Sequence, residues 1–224
     1  KHTDRQGAGH EDDDRDDIAL NYTSERMDLF SSYFGAPNWT FMHKDVRFTA
    51  FYDGVFGSGL PEEDRLWKML ENLPSLPEAK HHVVVIHYAL LIDQLWNEHF
   101  DLSKKEEYLS WYFCIGEPHR SRLLDIFRAA QVDLVFSGHI HLRRPVQHLE
   151  GFRYFQGAAV GGRPQWEDKY PDGDPTIGFY RCEVSDSGIE VSFVPVDPLA
   201  TEDGYGPYGH PPMEKRDYSV AWEK

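Results

Sequence analysis

The sequence predicts an α/β protein built on a largely parallel sheet. Val83-Val84-Val85-Ile86 is a run of four β-branched residues. That composition suits a strand buried on both faces, in the middle of an α/β sheet. Residues 132–137 form a second short apolar run, preceded by Leu123, Leu124, Ile126, Phe127 and Ala130 at helical spacing. Both runs stop at histidine: His87 follows the first, and Gly138-His139-Ile140-His141 follows the second. Ligand sites in open α/β sheets gather at the carboxyl ends of strands. The histidines therefore stand where such a fold performs its chemistry.

The elements follow in order. Residues 1–28 are polar, with the run Glu11-Asp12-Asp13-Asp14-Arg15-Asp16-Asp17, and are expected to be solvated and loosely ordered. Residues 39–42 and 46–52 read as two strands joined by a turn at His43-Lys44-Asp45. Leu60-Pro61-Glu62-Glu63-Asp64 opens a helix, because proline fits the first helical position and acids favour the positive helix start. Leu66, Trp67, Leu70 and Leu73 form its buried stripe, and Pro74 and Pro77 end it. After the strand at 83–86 comes a long connection, residues 89–117, rich in aromatic rings. It reads equally as a lid over a site or as a local packing cluster. A helix over 118–131 leads into the strand at 132–137. Beyond His141, four runs (146–149, 152–155, 178–184 and 189–194) with glycine-containing turns predict an antiparallel sheet that closes the domain. Gly161-Gly162-Arg163 is a flexible turn able to approach the site. Three segments result: 1–28, a domain over 29–196, and a Pro/Gly/Tyr-rich strap or tail over 197–224.

Composition narrows the function classes. The 224 residues suffice for one core and one domain. Lys plus Arg number 23 against 38 Asp plus Glu, a formal charge of −15. Such a surface excludes a nonspecific nucleic-acid binder, which presents a basic face. An anionic substrate would need local positive charge, which bound metal ions supply. No apolar run approaches the roughly 20 residues needed to cross a bilayer, and no signal-peptide pattern opens the chain. A soluble chain is expected, its compartment open and the cytoplasm favoured. Cys114 and Cys182 form no zinc motif.

The His-x-His pair is the sharpest chemical signal. Neutral imidazole is the commonest protein ligand for a transition metal, and Gly138 is expected to let the chain bend toward an ion. The bland alternative is a pair of loop histidines, with His87 a hydrogen-bonded core histidine.

The strand ending in His87, the helix over 118–131, the Ser137-Gly138-His139-Ile140-His141 turn and the strands beyond it resemble the C-terminal half of a calcineurin-like metallophosphoesterase. The hairpin after Tyr33-Phe34-Gly35 and the helix after Leu60 also match. They do so most closely in the branch containing cyclic-nucleotide phosphodiesterase-like enzymes. The resemblance spans residues 30–196. It implies a four-layer α/β/β/α sandwich, here without its N-terminal βαβ units, around two manganese, iron or zinc ions. His87 and His139 would bind one ion and His141 the other. Histidine suits such metals better than magnesium or calcium. Two ions about 4 Å apart clamp a phosphate and activate a water. The implied reaction is hydrolysis of a small phosphomonoester or phosphodiester, without a covalent intermediate. Gly7-Ala8-Gly9-His10-Glu11 stands for the family's Gly-Asn-His-Asp/Glu element. On that alignment His10 is the catalytic acid for the leaving group and Gly9 stands where an asparagine ligand belongs; the alternative is an ordinary surface histidine in a loosely ordered segment. Tyr88 and Trp96 are the implied substrate contacts.

The family's Asp-x-His and Gly-Asp elements have no counterpart here. Either the upstream units lie outside this sequence, or the chain is a divergent member that has lost one metal site. Strands 83–86 and 132–136 would then have exposed neighbours or edges, so marginal stability or self-association is expected. Two other functions compete: a catalytically impaired scaffold that binds a partner, and a mononuclear hydrolase using three histidines.

Overall fold

The parallel centre of the sheet grows from the two apolar runs. A computed structural model describes residues 23–91, 114–149, 151–157 and 172–196. His10, Trp96, the Gly161-Gly162-Arg163 turn and residues 197–224 lie outside the described residues. Strands β1 (Trp39–His43) and β2 (Val46–Ala50) form an antiparallel hairpin with His43 opposite Val46. Lys44 and Asp45 turn it at φ 47° and 63°, the positive values a tight two-residue hairpin loop needs. β2 pairs in parallel with β3 (His81–Val85), and β3 in parallel with β4 (Leu134–Ser137). The crossovers contain α2 (Pro61–Asn72) and α3 (His119–Ala129). β5 (Gln147–Leu149) and β6 (Phe152–Gln156) complete a six-stranded sheet of order β1-β2-β3-β4-β6-β5. The expected α/β class is the class observed.

Two expectations are corrected. The four C-terminal strands do not make one antiparallel sheet. β5 and β6 extend the first sheet, while among the described residues β7 (Gly178–Ser185) and β8 (Gly188–Pro195) form a separate two-stranded sheet. The reason lies in β6, whose Phe152 and Tyr154 are buried in the core of the first sheet. Of the expected exposed neighbours or edges, the second is not found: among the described residues neither apolar strand is an edge. β3 lies between β2 and β4, and β4 between β3 and β6, so β1 and β5 form the edges.

The chain divides into two units. One comprises residues 1–139 with 146–155, the other 140–145 with 156–224. In the first, Val84 and Val135 of the sheet pack with Leu66 and Leu70 of α2 and Leu123 and Phe127 of α3. α2 starts as its sequence predicts, with Pro61 and three acids in its first turn. Its Glu63 carboxylate accepts the N–H groups of Gly57 (2.7 Å) and Gly59 (2.9 Å), which fixes the preceding loop. A further helix, α1 (Ser24–Phe34), is capped by Thr23, whose Oγ1 accepts the Arg26 N–H at 3.3 Å, and ends at Gly35. Only Met27 of α1 is buried, so the sequence carries no wide apolar stripe to announce it.

Register partners share a face of a sheet. Trp39, Ala50, Val85 and Phe136 form one cross-strand row, and Phe41, Phe48, Val83 and Leu134 the next. This face is apolar, yet Trp39, Phe41 and Val85 are 39%, 50% and 43% exposed. Among the described residues, no helix is long and apolar enough to cross a membrane.

The second unit holds the β7–β8 ribbon. Arg143 and Asp174 exchange backbone hydrogen bonds of 2.9 and 2.7 Å, and their side chains form an ion pair. The Arg143 guanidinium sits 4.1 Å from the Phe193 ring centroid. Hydrogen bonding from Thr176, then from Arg143, holds the Asp174 carboxyl down at about 2, against an ordinary 3.8. The unfolded chain therefore takes up this proton first. The stabilisation from Asp174 is complete above about pH 4 and disappears as pH falls toward 2. In Asp174→Asn, stability measured by urea unfolding should lose this part of its acid dependence. An unchanged profile between pH 4 and 2 would remove the pairing from the account.

Candidate functional site

The site begins where the β3–β4 ladder ends. The parallel register continues past both strands: Ile86 N–H donates to Phe136 O (2.9 Å), and Gly138 N–H donates to His87 O (3.0 Å). His87 and His139 thus leave adjacent strands at the same carboxyl end, as ligand sites in open α/β sheets require. Nε2 of His87 lies 3.0 Å from Nδ1 of His139. The rings are 4.9 Å apart between centroids and inclined at 66°. His87 is exposed and His139 half-buried.

His82 shows what a core histidine looks like in the same strand. It is 3% exposed, and both its nitrogens are engaged, by Thr49 Oγ1 at 2.9 Å and Ala130 O at 3.2 Å. Burial pushes its pKa down. His87, exposed at the strand end, is not a histidine of that kind.

The turn that presents the pair is built differently from expectation. Gly138 is not the hinge. The left-handed conformation falls on His139 (φ 69°) and His141 (φ 57°). A Cβ added at Gly138 would meet the His87 carbonyl at 3.9 Å, an ordinary contact. Non-glycine residues with positive φ are uncommon, and such backbone strain clusters at functional sites. Both histidines of the motif carry it.

His141 belongs to the second unit. Burial pushes its pKa down, which favours the neutral ring that can ligate a metal. Tyr88, expected as a substrate contact, is 2% exposed. Its ring lies 4.5 Å from that of His139 and 5.1 Å from that of His87, both edge-on. It packs against the histidines and has little surface to offer a ligand.

Sequence reasoning missed two residues. Asp53, at the start of a single 3-10 turn (Asp53–Val55) after β2, is fully buried, and its Oδ2 accepts the Tyr88 N–H at 2.7 Å. Its only signal was an acid placed just beyond a strand. Tyr154 of β6 is 1% exposed. Its hydroxyl accepts the Leu90 N–H at 2.9 Å and shares a 2.7 Å hydrogen bond with Ser137 Oγ. A tyrosine in an apolar strand gives no sign of this in sequence.

The donors fit a metal in part. Two nitrogens, each about 2.0–2.1 Å from a shared ion, can lie 3.0 Å apart. Among the described residues, no group of three or more His, Cys, Asp or Glu side chains is arranged to hold an ion.

No protein-family model matches the chain, and no curated protein sequence matches it. Solved structures do. GAP50, the anchor in the inner membrane complex of Plasmodium, matches 70% of this chain over 49% of its own, at 18% identity and a TM-score of 0.45. The purple acid phosphatase PPD1 from yellow lupin (Lupinus luteus) seeds matches 70% over 30%, at 15% identity and a TM-score of 0.45. PhoD matches 70% over 40%, at 13% identity and a TM-score of 0.41. The chain thus spans less than half the length of each. Likeness at this level concerns the path of the chain alone.

Proposed function

We propose that this chain carries part of the site of a metal-dependent phosphoesterase, hydrolysing a small phosphomonoester or phosphodiester. The observation that supports it is the 3.0 Å approach of His87 Nε2 and His139 Nδ1 at the ends of adjacent parallel strands. His87 and His139 are the ligands of one manganese, iron or zinc ion, and His141 is a ligand of a second. Such ions, when bound, polarise a phosphoryl oxygen and lower the pKa of a coordinated water. The chain's own residues orient these rings. Asp53 holds the backbone after His87, and Tyr88 packs against both imidazoles. In this reading His10 protonates the leaving alcohol and Trp96 contacts substrate. The calcineurin-like metallophosphoesterase resemblance of the sequence motif supports the same chemistry.

Elemental analysis after dialysis against manganese, with hydrolysis of bis-p-nitrophenyl phosphate as the activity, tests the proposal. At least one ion per chain, lost in His87→Ala, is expected. Less than one ion, with His87→Ala folding undisturbed, would instead make the chain a scaffold of this shape reused for partner binding.

A further inference from the structure

We infer that Tyr154 is a positioning residue: its hydroxyl ties the segment after His87 to the segment before His139 and presets the spacing of the two imidazoles. The inference rests on the reading of that pair as ligands. The β3–β4 ladder reaches only as far as the Gly138 N–H to His87 O bond. His139, just past it, sits in a left-handed conformation, strained backbone that persists only where its surroundings hold it. The Tyr154 hydroxyl links the end of β4 to the segment after His87. One partner, Leu90 N–H, lies three positions after His87, and the other, Ser137 Oγ, two positions before His139.

The bland reading is a buried tyrosine that has found partners for its hydroxyl. The placement argues for more. Tyr154 comes from β6, which flanks β4 on the side away from β3, yet its hydroxyl reaches the segments following β3 and ending β4. Ser137 is 6% exposed and Leu90 fully buried, so the tie is shielded from bulk solvent. Asp53 braces the same place from the β2 side through Tyr88 N–H. Both segments that carry an imidazole are thus held from outside by a buried polar side chain. Residues that orient metal ligands without touching the ion typically change affinity by about 10–100-fold when altered.

Tyr154→Phe removes one oxygen and keeps the ring. Two readouts are needed: Co2+ titration of the full chain, and the proton NMR cross-relaxation between the His87 and His139 rings in metal-free protein. The expected result is Co2+ binding weakened about tenfold or more, with the ring-to-ring signal weakened in the absence of any metal. Ser137→Ala, which breaks the same tie from its other end, should do the same. The double variant should be no worse than Tyr154→Phe alone, which already breaks both bonds of the tie. If Tyr154→Phe fails to fold, Ser137→Ala carries the test. Wild-type affinity together with an undiminished ring-to-ring signal in the folded variants overturns the inference. If the wild-type chain takes up no Co2+, the metal reading falls, and the metal-free signal alone decides for or against the tie.

Discussion

His139→Asn should lose metal uptake and metal-stimulated phosphodiester hydrolysis, with the fold retained. His139 supplies one of the two nitrogens that converge at 3.0 Å. Its removal leaves His87 as the remaining histidine of the pair to hold the ion. The apparent dissociation constant for manganese should rise at least about 100-fold, equivalent to about 2.7 kcal/mol. Asparagine is a better replacement than alanine, because the backbone stands at φ 69°. Asparagine tolerates that region, while alanine adds strain unrelated to metal. His139→Ala should therefore show the same metal defect and a larger loss of stability. Isothermal titration with manganese and thermal unfolding separate the two effects. Unchanged affinity in His139→Asn would end the assignment of the pair as ligands.

Phe127→Ala should produce the largest loss of stability of any single truncation considered. Phe127 is fully buried in α3. Its ring lies 6.5 Å from Phe51, just past β2, and 5.9 Å from Phe152 of β6, the latter edge-on at 85°. One side chain thus couples a crossover helix to both flanks of the strands that carry the histidines. Truncating a buried phenylalanine removes its transfer free energy and leaves a cavity, together about 3–5 kcal/mol. For a chain of this size that lowers Tm by roughly 6–20 °C. Urea unfolding monitored by circular dichroism measures it. A cost under about 1 kcal/mol would mean that α3 does not pack as described.

The parts legible in sequence were those with a repeating pattern. The β-branched run at 83–86 and the stripe through Leu123 and Phe127 announce strand and helix, because burial imposes a period on the side chains. Parallel strands end side by side, so a histidine after each run could be placed near its counterpart before any coordinates. Single residues with a reach across the fold were not legible. Asp53 and Tyr154 act through one hydrogen-bonding group each, and nothing local distinguishes them from an ordinary loop acid or core ring. Gly138 misled for a related reason. Glycine permits a left-handed turn but does not require one, and here the strain went to the histidines. α1 was missed because one buried methionine makes no pattern. β6 was assigned to the wrong sheet because strand pattern reports a buried face and not the neighbour that buries it.

The sheet face bearing Trp39, Phe41 and Val85 has a calorimetric consequence. Part of its oily surface is already wet in the native state, so melting this chain hydrates less new hydrocarbon than melting a domain sealed on both sides. Its heat-capacity increment should fall below the usual ~12–15 cal/mol/K per residue of ordered chain, giving a flatter stability curve with temperature. Scanning calorimetry that returned the full increment would mean the face is covered in solution.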